Sequence, residues 1–221
     1  MILVADPTVK SMSVVLAISE DLKTLAQVQQ KLGIRLSEDS NFFTEWLEES
    51  DPIEEGDRRR LDQVRRNYLY QSEDGPLLEE TIKLVILSPI LELAGFYQAP
   101  YKFRAEVSVE VETIGDQDEI LWGRIDGLVL LDRLWIVLIE AKKATLDLEL
   151  ALPQTLAYMA TNPDPTRSGF GMVTNGSSYL FIKLTGKAYG ISDVFGTRSQ
   201  HRNNLVEVLR VLKSLGRSIV P

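Results

Sequence analysis

The sequence predicts an α/β domain with a mixed central sheet flanked by helices, preceded by a helical N-terminal arm. Three observations carry that expectation. Residues 105–140 hold three strand-like runs: Ala105–Glu112 alternates, with Val107, Val109 and Val111 on one face, and Ile120–Leu131 and Leu134–Glu140 are almost continuously apolar, as in strands buried on both faces. A second pair of apolar runs, Gly169–Val173 and Tyr179–Leu184, flanks Asn175-Gly176, a tight-turn signal. Helical segments precede, separate and follow these strands, which is the order of an α/β fold rather than of a bundle or a sandwich.

The elements follow in order. The run MSVVLAI at 12–18 reads as a first strand or a packing segment. It falls far below the ~20 apolar residues of a spanning helix, and only Lys10 stands near it as a base, so no signal peptide or membrane segment is expected. Ser19-Glu20-Asp21-Leu22 predicts a capped helix start, with Leu22, Leu25, Val28 and Leu32 at helical spacing and Gly33 as its stop. A second helix is expected from Ser40-Asn41, carrying Phe42, Phe43, Trp46 and Leu47. Pro52 opens a third, through Leu61, Val64 and Tyr68. Its arginines (Arg58, Arg59, Arg60, Arg65, Arg66) flank the apolar stripe, which suits a solvated helix face, with a DNA-backbone contact as the alternative.

Residues 1–75 thus form a helical N-terminal extension, and the character changes after Gly75-Pro76, where a core domain over 76–221 begins. Residues 77–94 predict a long apolar helix ending at Gly95, kinked or broken at Pro89, because proline lacks a donor and clashes with the preceding turn. Further helices are expected over Leu150–Ala160 and Asn203–Leu215.

Composition excludes much chemistry. Without a single cysteine in 221 residues there is no disulfide framework, thiolate zinc site, iron–sulfur cluster or cysteine nucleophile. The only histidine, His201, lies in a polar stretch that suits the surface, and one histidine cannot build a two-histidine metal site. Carboxylates, lysine, hydroxyls and a hard metal remain. The net charge of −8 argues against a nonspecific polyanion binder, yet nine acids in 38–57 account for much of it and a cluster of arginines follows, so a basic face can coexist with that total. Gly169-X-Gly171 lacks the strand–helix setting of a dinucleotide loop, and Gly186-Lys187 is no phosphate-binding loop, so no nucleotide cofactor is expected. Trp46, Trp122 and Trp135 read as core residues, and Arg124 as a salt-bridge partner or rim residue.

Charges inside the apolar strands mark the candidate site. Asp126 interrupts ILWGRIDGLVLL, and Glu140 and Lys142 end LWIVLIEAKK. Burying an ionised carboxylate is costly unless it is paired or binds a metal. Glu140 and Lys142 are two apart and share a face. Register decides whether Asp126 joins them: a three-residue loop at 132–134 puts it opposite Glu140, whereas a two-residue turn at Asp132-Arg133 needs a bulge, for instance at Gly127.

Asp126 followed fourteen residues later by Glu140-Ala141-Lys142 resembles the Asp…(Glu/Asp)-X-Lys core of the PD-(D/E)XK nuclease superfamily. Gly123-Arg-Ile-Asp126-Gly, Ile139-Glu-Ala-Lys142 and Gln154-Thr-Leu-Ala-Tyr158 resemble the three motifs of its RecB-like branch, and Gly171–Gly176 is similar to the strand and turn that follow in the nuclease domain of type I restriction R subunits. Glu79, ten residues before Pro89, resembles that family's leading glutamate, with Glu80 beside it as the alternative. The resemblance spans about residues 76–185. It does not extend to the helical extension, and the chain has no room for the family's ATP-driven motor.

This resemblance implies a restriction-endonuclease-like core and a metal-dependent deoxyribonuclease. Asp126, Glu140 and the backbone carbonyl of Ala141 would hold Mg²⁺, with Mn²⁺ as a substitute, and Glu79 or Glu80 would complete the site. Lys142 would orient the attacking water, Gln154 would hydrogen-bond the nucleophile or DNA, and Tyr158 would brace it. A role in restriction, defence or repair, a cytoplasmic location, DNA as partner, and a homodimer or a separate motor or specificity protein are the matching expectations. The alternative is a catalytically silent nuclease fold that binds nucleic acid or protein.

Overall fold

A computed structural model of the chain describes residues 14–47, 52–113, 119–131, 134–141, 147–198 and 203–218. Its strands are β1 (Val14–Ala17), β2 (Arg35–Leu36), β3 (Tyr101–Glu112), β4 (Glu119–Leu131), β5 (Leu134–Ala141), β6 (Gly169–Thr174), β7 (Ser178–Thr185), β8 (Ala188–Ile191) and β9 (Phe195–Gly196). They form one mixed sheet along the path β1-β4-β5-β6-β7-β8-β2, with β3 paired to β4 and β9 to β7. β1 on β4, β5 on β6 and β2 on β8 are parallel, and the remaining pairs are antiparallel. The helices are α1 (Ile18–Asp21), α2 (Leu25–Leu32), α3 (Glu55–Gln71), α4 (Glu79–Ile82), α5 (Ser88–Leu93), α6 (Leu152–Met159) and α7 (Leu205–Arg217). None is long and apolar enough to cross a membrane.

Helices cover both faces of the sheet, and strand alternation divides the apolar residues between two cores. Phe170, Met172 and Phe181 point to the core built by Leu61, Ile82, Ile86 and Leu209 of the α3, α4–α5 and α7 side. Val173, Leu180 and Ile182 point to the core of Ile18, Val28, Leu32 and Leu156 on the α1, α2 and α6 side. Each such side chain contributes roughly 1.5–3 kcal/mol when fully buried. The mixed sheet flanked by helices agrees with the sequence reading.

The N-terminal third is more than a helical arm. β1 and β2 join the sheet at separate places, α1 and α2 fill one core, and α3 fills the other. The expected helix from Ser19 is two helices: Thr24 starts α2 by a capping box, its hydroxyl accepting from the Gln27 N–H at 3.2 Å and the Gln27 side chain accepting from the Thr24 N–H at 3.0 Å. Gly33 closes α2 in the left-handed region at φ 70°, as its position predicted. Residues 40–47 are turns, not a helix. There the Asp39 carboxylate accepts from the Asn41 N–H at 2.9 Å, and such local bonds compete with the helical ladder. Phe43 still reaches the core, 6% exposed, packed near Phe170.

The 77–94 segment shows how Pro89 is accommodated. Between α4 and α5 the chain widens into a π-helical turn, Lys83–Leu87, closed by the Ser88 N–H donating to the Lys83 carbonyl. Proline cannot donate to the carbonyl four residues back and its ring collides with it, so a wider turn just before Pro89 keeps the helix continuous. The helix expected from Leu150 begins as a 3₁₀ turn, Leu148–Ala151, before α6, and the last helix runs Leu205–Arg217. The Asn175-Gly176 hairpin is present, with Gly176 at φ 78°.

Candidate functional site

Strand β4 carries the site because two different strands share one of its edges. β3 pairs with it from Ile120 to Leu131 and fills the other edge. On the shared edge β1 ends at the pair Ala17–Trp122, and β5 begins at the pair Gly127–Ile139. Residues 123–126 lie in the fork between these ladders. Asp126 is the last residue of the fork.

The register question is settled by a bulge. β4 and β5 join at the pair Leu131–Leu134, so the connection is the two residues Asp132 and Arg133, not a three-residue loop. The register then shifts between Val129 and Leu130, where β5 passes from Trp135 to Val137 and gains Ile136. The bulge therefore sits on β5, not at Gly127. Beyond the pair Gly127–Ile139, the next residues on the two strands are Asp126 and Glu140. Glu140 is paired in register with Val173 of β6, and Ala141 with Thr174, beside the 175–176 turn. Glu140 and Ala141 are described by their backbone positions. Lys142 and His201 lie outside the described residues.

A second irregularity shapes the fork from the β3 side. Tyr101 and Phe103 pack on the α3 side of the sheet, whereas Val107, Val109 and Val111 pack on the α6 side, although all five are odd-numbered. An undisturbed strand would keep them on one face. The switch occurs at Glu106, a non-glycine residue in the left-handed region at φ 53°, in the step between the pairs Ala105–Gly127 and Val107–Ile125. Asp126 is the β4 residue of that same step. A left-handed residue other than glycine costs roughly 1–2 kcal/mol. Glu106→Gly is accordingly expected to raise stability by about 1 kcal/mol in urea unfolding, whereas Ser108→Gly, in ordinary strand, lowers it by about 0.5–1 kcal/mol. A loss at both positions would count against the strain.

Asp126 is largely shielded, with its side chain 21% exposed, and it meets a cation that sequence reasoning passed over. Lys83, on the first residue of the π-helical turn, places Nζ 2.8 Å from Asp126 Oδ1 and 2.7 Å from Glu80 Oε1. Burial alone would push the Lys83 ammonium down. The hydrogen bonds and charges of Asp126 and Glu80 outweigh burial and hold it well above the ordinary lysine value of 10.5. By linkage, the stability this contact contributes is fully present below that ordinary value and is lost only as pH rises through the higher folded value. Glu80 is thus joined to Asp126 through Lys83, while Glu79 makes no hydrogen bond or ion pair among the described residues. A cavity of about 180 Å³, walled in part by Lys83, Leu84, Tyr97 and Phe103, opens beside Asp126.

Helix α6 closes the fork from the opposite face. Tyr158 is 2% exposed and lies against Gly123, where an added Cβ would overlap the ring edge at Cε1 and fall 3.0 Å from the hydroxyl. Gln154, one turn earlier, donates from Nε2 to the Tyr158 hydroxyl at 2.6 Å. The Gln154–Tyr158 pair and the Asp126–Lys83 pair therefore approach β4 from its two faces, three residues apart on that strand.

Trp46 packs edge-on against Phe195, but Trp122 is 49% exposed, because alternation turns it to the face of β4 opposite Leu121 and Gly123, away from α1 and α6; Trp135 is described by its backbone. The expectation that β4 is buried on both faces holds only for residues 127–129. Arg124 pairs with Glu106 at 3.5 Å on the open face. Of the α3 arginines, Arg58 donates to the Ile53 carbonyl and Arg65 to the Thr197 carbonyl, so these two brace the fold. Among the described residues no group of three or more acidic or histidine side chains gathers as a metal site would need. The donor chemistry of Asp126, Glu140 and the Ala141 carbonyl is oxygen only, which fits a hard cation, and the ammonium on Asp126 shows a carboxylate balanced by positive charge.

In comparisons with known proteins, the chain matches no protein-family model and no curated protein.

Proposed function

We propose that the chain is a metal-dependent nuclease with a restriction-endonuclease-like core, hydrolysing DNA phosphodiester bonds at the β4 fork. The observation that carries this reading is the position of Asp126 in a gap between two ladders, with Glu140 next on the adjacent strand and Gln154–Tyr158 and Glu80–Lys83 approaching from opposite faces. The resemblance assigns the leading glutamate to Glu79 with Glu80 as its alternative, and the contact of Lys83 with Glu80 favours that alternative. Held by Asp126, Glu140 and the Ala141 carbonyl, Mg²⁺ or Mn²⁺ would polarise the scissile phosphate and acidify a bound water. Lys142 orients the attacking water and offsets charge developing on the phosphate oxygens. Gln154, fixed by Tyr158, hydrogen-bonds the nucleophile or the DNA. A cytoplasmic role in restriction, defence or repair, as a homodimer or beside a motor or specificity protein, is the setting this reading implies.

The test is incubation with supercoiled plasmid and linear single strands in Mg²⁺, Mn²⁺ or EDTA, beside Glu140→Ala and Lys142→Ala proteins. Cutting that requires metal and falls by about a hundredfold or more in both variants is expected. Equal behaviour of wild type and variants would remove the enzyme reading.

One observation favours a second reading, a silent nuclease fold that binds nucleic acid or protein. A carboxylate neutralised by a lysine does not require metal. Binding to DNA without cutting, with a steep salt dependence, would identify it.

A further inference from the structure

We propose that Lys83 is a built-in counter-ion of Asp126 that a divalent cation must displace, so that the helix carrying Lys83 sets how tightly the fork holds metal. This inference rests on the metal-dependent reading above and adds a residue to it. Lys83 lies 43 residues from Asp126 in sequence, yet its ammonium is bonded to the carboxylate at 2.8 Å.

Three features make the contact a latch rather than an ordinary surface pair. First, both side chains are about one-fifth exposed, so their charges are poorly screened by water and salt. A second cation brought to Asp126 therefore meets Lys83 as a like charge at close range. Second, the ammonium has another acceptor within reach. Glu80, 74% exposed, already accepts from it at 2.7 Å on the solvent side, so Lys83 can leave Asp126 without losing every partner. Third, Lys83 opens the π-helical turn that Pro89 imposes. Such turns are rare and concentrate at functional sites, where they re-aim a side chain that a regular helix would carry elsewhere.

The proposal predicts that removing the positive charge tightens metal binding. Mn²⁺ affinity, measured by calorimetry and by the electron paramagnetic resonance signal of free Mn²⁺, is expected to rise roughly tenfold in Lys83→Met, which preserves side-chain length without the charge. Lys83→Arg, which keeps the charge, is expected to stay near wild type. In thermal melts, Lys83→Met should gain more stability from Mn²⁺ than wild type does, since metal replaces the missing cation. A purely structural role would lower metal affinity in the methionine variant, not raise it. Equal or weaker Mn²⁺ binding by a folded Lys83→Met protein, judged by circular dichroism, overturns the latch while the nuclease reading stands on its own cleavage assay. Absence of Mn²⁺ binding in wild type and variant alike would overturn both.

Discussion

Asp126→Asn is expected to lower metal-dependent cleavage on the order of a hundredfold or more while leaving the fold intact. Asparagine has the same shape, so the packing of β4 is kept, but it is a neutral and weak ligand for a hard cation. The carboxylate also sits where the sheet gives it least backbone competition, in the fork where β1 has ended and β5 has just begun. Its loss leaves Lys83 with Glu80 as an acceptor, so the stability cost should be modest beside the loss of rate. The measurement is single-turnover cleavage of plasmid DNA in Mg²⁺, with circular dichroism and thermal melts on the same protein. Wild-type rates from Asp126→Asn would remove Asp126 from the site.

Gly123→Val is expected to have the second-largest effect, and through packing rather than charge. An added Cβ at Gly123 meets the Tyr158 ring before any branch of the valine is counted, with Cζ at 3.1 Å and the hydroxyl at 3.0 Å. Tyr158 is buried and tied to Gln154, so it has little freedom to retreat, and α6 must shift away from β4. Overpacking of this kind costs roughly 1–3 kcal/mol. Cleavage should fall as well, because the shift carries Gln154 away from the fork. Tyr158→Ala removes the obstructing ring, so the double variant Gly123→Val/Tyr158→Ala should be less destabilised than the sum of the two single variants. Additive losses in urea unfolding would show that the two residues do not act on each other.

The parts of this arrangement that were legible in the sequence are those fixed by local pattern. Strands β4 and β5 stand out as apolar runs, and Asp126 stands out within one of them because a charge there demands an explanation. Pro89 announced a fault in its helix, though not that the fault would be a widened turn. What escaped detection depends on residues far apart in the chain. Lys83 in TIKLVIL is also a charge in an apolar run, the same signal that singled out Asp126, but a lysine three residues after Glu80 reads equally well as an exposed helix pair. Only the fold brings it to β4. The bulge at Ile136 leaves no trace in an unbroken apolar strand, so the sequence allowed either loop length. β2, β8 and β9 are two to four residues long, too short for alternation to show, and residues 40–47 have helical spacing but bond locally into turns. Trp122 was expected inside because tryptophan is large and apolar. It lies instead on the face of β4 turned away from α1 and α6.

On the proposed reading, the fork between β1 and β5 holds a divalent metal on Asp126 and Glu140. Crystals grown with Mn²⁺ and measured above and below its absorption edge test this most directly. An anomalous peak is expected between the Asp126 and Glu140 carboxylates, with the Lys83 ammonium moved from Asp126 toward Glu80. A fork without a peak and with Lys83 still on Asp126, from crystals in which Mn²⁺ is bound elsewhere, would contradict it.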